Sequence, residues 1–250
     1  MTIFEGIRLL SPVIRVNNRE HNINFYCKVL GLKILKEENA EVFFCAYHNP
    51  SILFTIEESP SMRARAVEGP KKLNYLYIKA AKAEEIEALL ATNISFSRLF
   101  KGEKGYAFEV ISPEKDVILL HAEDDRSSLQ EISGQNLTFR ALEGFKGLSD
   151  YQIDKLVLNV EDLAQSKSFY QNLQGLSFLP NFQEAQGPDL KVTPDTTWDI
   201  EIINYKIPEN YNLSVLKEYF EARNIEVYMD KAQKVLVISD PSQIELWFSK

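Results

Sequence analysis

Apolar residues along the chain recur at two spacings, and where the spacing changes the chain divides into four similar stretches. Val13-Ile14-Arg15-Val16 has the apolar density of a strand, and Arg19 to Leu30 sets Ile23, Tyr26, Cys27 and Leu30 along one helical face. Gly31 follows where a left-handed helix terminator belongs. Strand-like runs at 32–35, 41–46 and 52–56, separated by polar or Asn-Pro breaks, complete one β-α-β-β-β unit. A second unit starts at 73–78, passes through a helix over 82–90 and closes with strands at 106–111 and 117–121. The turn Ser112-Pro113-Glu114-Lys115 joins those two strands. The third restarts at 153–160, with Asp162 placed to cap a helix to about Leu173 and Gly175 ending it, before a less regular middle. The fourth runs through a strand at 198–207, a helix at 213–223, and strands at 226–229, 235–239 and 244–248, with Asp240-Pro241 in the last turn.

The units are related. Val16, Phe25-Tyr26 and Gly31-Leu32 recur as Val160, Phe169-Tyr170 and Gly175-Leu176 at a constant offset of 144 positions, and Val13/Val157 and Leu35/Leu179 extend the match. Identity at so many positions without a gap points to duplication. The expected organisation is a paired-unit domain at 1–122, a connector at 123–150 and a second paired-unit domain at 151–250. Leu137, Phe139, Leu142, Phe145 and Leu148 of the connector are expected to pack onto a domain.

A chain of 250 residues with 45% hydrophobic content can bury two modest cores. Its net charge of −8 supplies no broad positive field, so nucleic acid and anionic membrane surfaces are not expected partners. No secretion leader or membrane span is legible, which gives a cytoplasmic expectation. Two cysteines, Cys27 and Cys45, are too few for a disulfide framework and are expected to be reduced and mostly buried.

Four such units, each pair led by a helix ending Phe-Tyr then Gly-Leu, resemble the vicinal-oxygen-chelate, or glyoxalase/bleomycin-resistance, superfamily. Asp240-Pro241-Ser242-Gln243-Ile244-Glu245-Leu246-Trp247 is similar to the last hairpin of that superfamily. The resemblance implies an α+β fold of tandem β-α-β-β-β units forming two glyoxalase-like domains, in which sheets wrap clefts. It also implies that metal-using members take ligands from the first strands and the closing strand. Here the first-strand positions fall on Ser11, Leu73 and Lys155, and the closing-strand positions on Leu119 and Glu245. One carboxylate does not hold a catalytic divalent ion, so neither metal nor cofactor is expected. Glu245 is expected to pair with a cation such as Lys155.

Taken whole, the sequence resembles the streptococcal CppA family, described as degrading complement component three. That resemblance implies a proteinase acting on a host complement glycoprotein at the cell surface or outside the cell. Nucleophilic proteolysis needs an activated side chain or metal-bound water, and the thiols and imidazoles are limited to Cys27, Cys45, His21, His48 and His121. Neither a His-Glu-x-x-His nor a Gly-x-Ser-x-Gly motif is present. Cys45 and His48 fall on opposite strand faces, and His21 and Cys27 are too far apart on one helix. His121, two positions after Leu119, faces the same way and is the preferred cleft histidine. The catalytic candidates are therefore His121, Cys27, Cys45 and Glu245. The alternative reading is a metal-free protein holding a small molecule or peptide in a cleft; a third is a metal-dependent lyase, isomerase or dioxygenase. The repeated Phe-Tyr pairs are expected to pack helix on sheet, their hydroxyls reaching a polar edge. Trp198, Tyr205, Tyr211, Tyr219, Tyr228 and Trp247 are expected in the core, a ligand cleft or an interface, and exposed strand edges allow a homodimer.

Overall fold

The computed structural model describes residues 3–134 and 137–250. In chain order it has β1 (Arg8–Val16), α1 (Arg19–Lys28), β2 (Lys33–Glu38), β3 (Glu41–Cys45), β4 (Phe54–Glu58), β5 (Leu73–Ala80), α2 (Ala83–Leu90), β6 (Arg98–Lys101), β7 (Tyr106–Ile111) and β8 (Val117–His121). It continues with β9 (Gln130–Ile132), β10 (Tyr151–Val160), α3 (Leu163–Gln171), β11 (Asn181–Glu184), β12 (Ile200–Lys206), α4 (Leu213–Glu221), β13 (Tyr228–Met229), β14 (Val235–Ser239) and β15 (Glu245–Ser249). Asp162 caps α3 by accepting the Gln165 N–H at 2.8 Å, as Asn18 caps α1 through His21. Gly31 ends the first helix at φ 69°, and a Cβ there would press on Leu89 and the Leu148 amide.

The α+β class holds, with the strands in two sheets. The first has the order β13-β14-β15-β12-β1-β4-β3-β2 and the second β11-β10-β5-β8-β7-β6-β9. Each sheet therefore draws strands from both 1–122 and 151–250, a correction to the expected pairing of units within each half. The link 59–72 explains the exchange by carrying the chain away from the first sheet. Arg65 makes two 2.7 Å bonds to Asp189, and Asp199 accepts the backbone N–H groups of Lys72 and Leu73 at 2.5 and 3.0 Å. With β5 fixed in the second sheet, β10 returns to pair antiparallel with it, while β1 is left to pair with β12.

Helices cover one face of each sheet. Tyr26 packs on Phe44 and Phe54 beneath α1, and Phe220 of α4 meets Phe248. The second tyrosine hydroxyl of the repeat, Tyr170, donates to Asp240 in the β14–β15 turn at 3.1 Å. Tyr26 is its counterpart, with Asp116 of the β7–β8 turn and Glu114 among the charges that, after burial, hold its phenol well above the ordinary value. In the connector, Leu148 is buried and Phe139 and Phe145 pack against the core, whereas Leu137 and Leu142 are exposed, contrary to expectation. Among the described residues no helix is long and apolar enough to cross a membrane.

Candidate functional site

The face of the first sheet opposite its helices forms a cup floored by β3, β4, β1, β12 and β15. A register shift adds a side chain to it. Val13 pairs with Ile202 and Ile14 with Ile200, so Glu201 is an extra residue on β12 and its side chain turns onto the cup face. There it meets Arg15 from β1, with Arg15 Nε 2.8 Å from Glu201 Oε2. The guanidinium also pairs with Asp195 and lies 3.4 Å from Glu57. Arg15 and Glu201 side chains are each only 7% exposed. Burial pushes the Glu201 carboxyl up, and Arg15 opposes that shift.

Glu41 and Glu57 stand directly opposite one another on the antiparallel β3–β4 ladder. Like charges so placed repel. The Glu41 carboxyl is raised by burial, then by Glu57 and Glu38, with Lys36 acting the other way. On the far side Glu245 accepts the Trp247 indole N–H at 2.7 Å. The cavity, about 430 Å³, thus presents five carboxylates, from Glu41, Glu57, Asp195, Glu201 and Glu245, to one guanidinium.

Glu245 is the one catalytic candidate of the sequence in this cup, and Trp247, expected in the core, a ligand cleft or an interface, lines it as well. Glu245 does not pair with Lys155, because β10 and β15 lie in different sheets; the Lys155 ammonium sits 5.6 Å from the Tyr77 ring centre. His121 is in the second sheet, fully buried, with Nε2 3.2 Å from Asp154 Oδ2. Arg126 pairs with the same carboxylate and lies over Tyr77 at 4.9 Å. Burial, then the charges of Arg126 and Lys79, lower His121 to about 4, so it stands neutral at physiological pH. Cys27 on α1 and Cys45 on β3 are free thiols, and burial raises both. They belong to the first sheet and its helix, and His121 to the second, so the candidates do not converge.

The other expected ligand positions hold no ligand set either. Ser11 bonds Thr55 at 3.1 Å, and Leu73 is buried in the core. The β8 residue in register with Glu245 is Val117, two before Leu119, because Leu76 pairs with Ile118 as Ile203 pairs with Leu246. No group of three His, Cys, Asp or Glu that could hold a metal occurs among the described residues.

Comparison with known proteins agrees with this fold. The CppA N-terminal family matches residues 9–132 and the CppA C-terminal family residues 148–248. The crystal structure of cppA protein from Streptococcus pneumoniae TIGR4 is 35% identical, covers 98% of each chain and superposes with a TM-score of 0.82. The chain belongs to the CppA family. More distantly, this CppA-family chain is 25% identical over 202 residues to a catechol-2,3-dioxygenase of Bacillus subtilis (strain 168), spanning 72% of the chain and 69% of that relative. Glyoxalase I from Zea mays superposes with a TM-score of 0.56 at 13% identity, covering 98% of this chain and 92% of that one. At that identity it shows the vicinal-oxygen-chelate fold alone.

Arg15, Glu41, Glu57 and Glu201 were not singled out by sequence reasoning. A charge within an apolar strand run, as in Val13-Ile14-Arg15-Val16 and Ile200-Glu201-Ile202, was the available signal, though a solvated face gives the same pattern.

Proposed function

We propose that this CppA-family protein is a metal-free binding protein whose first-sheet cup takes an organic cation, a primary ammonium or guanidinium. One observation carries the reading: Glu41 and Glu57 face each other across the ladder while a single buried arginine serves the whole cup. Arg15 and Lys36 offset only part of the charge on this facing pair; a local rule broken in a fold otherwise consistent marks function, and a bound cation relieves the remaining repulsion. Trp247 offers an aromatic wall beside Glu245, suited to such a ligand. A free cation and one borne on a lysine or arginine side chain of a protein share this chemistry.

Trp247 and Trp198 are the two tryptophans of the chain. In a Trp198→Phe variant, titration with benzylamine, L-argininamide and a triarginine peptide is expected to change Trp247 fluorescence saturably. The response should weaken with salt and fall at least about tenfold in affinity when Glu41→Gln and Glu57→Gln are added. A flat titration, or equal affinity in the double glutamine variant, overturns the reading. Preference for the peptide over argininamide identifies a protein ligand.

Cleavage of complement component three is what the family resemblance implies. Its support is that resemblance, since two thiols raised by burial and a buried neutral imidazole in another sheet do not form an activated nucleophile. Under the binding reading, a complement glycoprotein would be a donor of basic side chains. Purified protein incubated with complement component three is expected to leave it intact. Cleavage abolished by Cys27→Ala, Cys45→Ala, His121→Ala or a chelator, in a folded variant, would restore the proteinase.

A further inference from the structure

The second sheet carries a counterpart of the cup with its chemistry exchanged. Val157 pairs with Tyr75 and Leu158 with Leu73, so Asn74 is the extra residue on β5, as Glu201 is on β12. The backbone repeats as well: Asn159 N donates to Lys72 O at 2.8 Å where Arg15 N donates to Asp199 O at 2.9 Å. Asn159 therefore stands in the place of Arg15, and Asn74 in that of Glu201. Where the first cup has an ion pair, the second has an amide pair, Asn74 Nδ2 donating to Asn159 Oδ1 at 3.0 Å. Val117 replaces Glu245, and Leu119 stands opposite Glu109 across β7–β8 where Glu57 stands opposite Glu41 across β3–β4. Glu109 accepts the Tyr75 hydroxyl and lies 3.6 Å from Arg98, so its charge is engaged within the protein.

Part of the second face is already closed. Arg126 covers Tyr77, and Asp124 pairs with Lys79 at 2.7 Å and Lys104 at 2.8 Å. The remainder is a cavity of about 520 Å³ between the floor, the link 59–72 and the β7–β8 turn, with Val67, Pro113, Val117 and Trp198 as apolar lining. Its size and mixed lining are those of a small-molecule site.

The polar groups of the cavity specify what fits. Lys71 is held by Asp116 at 2.5 Å and by the Glu114 carbonyl at 2.9 Å. Glu114 Oε1 accepts the Asn17 N–H at 2.9 Å and Asn22 Nδ2 at 3.1 Å. Both charges are thus engaged within the protein. Lys115, on the same turn, makes no ion pair among the described residues. Asn159 is 5% exposed and is fixed by donating to Lys71 O at 2.8 Å as well as by accepting from Asn74. Asn74 Oδ1 has no protein donor among the described residues and remains available as an acceptor at the floor.

We infer that this second cup is a separate binding site for a small organic carboxylate with an apolar body and a hydroxyl or amide N–H: the carboxylate meets Lys115, the donor meets Asn74 Oδ1, and the body lies among Val67, Pro113 and Trp198. The inference stands on different residues from the cation site and survives its failure. The two cups select opposite charges because the same fold position holds Arg15–Glu201 in one and Asn159–Asn74 in the other.

The test uses 4-hydroxybenzoate and hippurate, which carry a carboxylate, a ring and an O–H or N–H donor respectively. Calorimetric titration of the native chain is expected to show binding, and a Trp247→Phe variant should report it through Trp198. Lys115→Asn removes the ammonium while suiting the left-handed backbone at φ 67°; it should weaken binding about threefold to tenfold. Asn74→Ala should weaken it about tenfold or more. Benzylamine should leave Trp198 fluorescence unchanged. Absence of binding by both carboxylates, or affinities unaltered in Lys115→Asn and Asn74→Ala, overturns the assignment; so does an equal response of Trp198 to benzylamine.

Discussion

Arg15 is buried with three carboxylates around it, and its removal is asymmetric in its consequences. Arg15→Met leaves Glu201 enclosed without a counterion, at a cost on the order of 3 kcal/mol, whereas Arg15→Met with Glu201→Met removes both charges and should recover most of that loss. Urea midpoints of the two variants check this, the double variant being the more stable. His121 makes a different kind of prediction. Its folded value is about 4 against an ordinary 6.5, both forms being neutral above that pH. As pH falls from 6.5 to 4 the unfolded chain takes up a proton that the folded chain refuses, so stability drains away over that window, by on the order of 3 kcal/mol in total. His121→Gln abolishes this term, and the melting temperature of the native chain should fall relative to the variant as pH is lowered from 7 to 4.5. The sequence made Glu245 legible because it follows a recognisable Asp-Pro turn. Arg15 and Glu201 were not, since their contact joins distant positions through a register shift that no local pattern announces.

Strands and turns divide along similar lines. The segments 106–111, 117–121 and 235–239 are strands over the expected residues, each having alternating or continuous apolar positions bounded by turn residues. β6 and β11 went unread: Arg98–Lys101 buries only Leu99, and Asn181–Glu184 buries none of its four residues, so there is little periodicity to detect. The β14–β15 turn illustrates how one element is held. Asp240 accepts the backbone N–H groups of Ser242 and Ile244, each at 2.8 Å, as well as the Tyr170 hydroxyl. Burial nevertheless outweighs those bonds and raises its carboxyl to about 6 from an ordinary 3.8. Between pH 4 and 6 the unfolded chain releases a proton that the folded chain retains, so this group weakens the fold as pH rises through the window and the penalty persists above it. Asp240→Asn keeps an acceptor but not the titration. Relative to that variant, the native chain should lose on the order of 2 kcal/mol between pH 4 and 7, measured by urea unfolding at each pH. The sign is opposite to that of His121, which lets the two contributions be separated.

The duplication was legible in the whole chain, but the partnership of its units was not. Repeat spacing records ancestry, while sheet membership is decided by how the link 59–72 is anchored through Arg65–Asp189 and Asp199. Each sheet is completed only by strands from both halves, and separating the halves would bare the β1 edge that β12 covers and the β5 edge that β10 covers. Polypeptides 1–134 and 135–250 produced together are expected to associate into a species with the native circular dichroism spectrum. Either one alone should aggregate or self-associate, and two independently folded halves would contradict this. The arrangement is that of a two-subunit arm exchange written into one polypeptide: a single ancestral half, meeting a copy of itself, would build the same two sheets with identical cups. Fusion frees those cups from symmetry, and Arg15 and Asn159 at one repeated position are the record of that freedom.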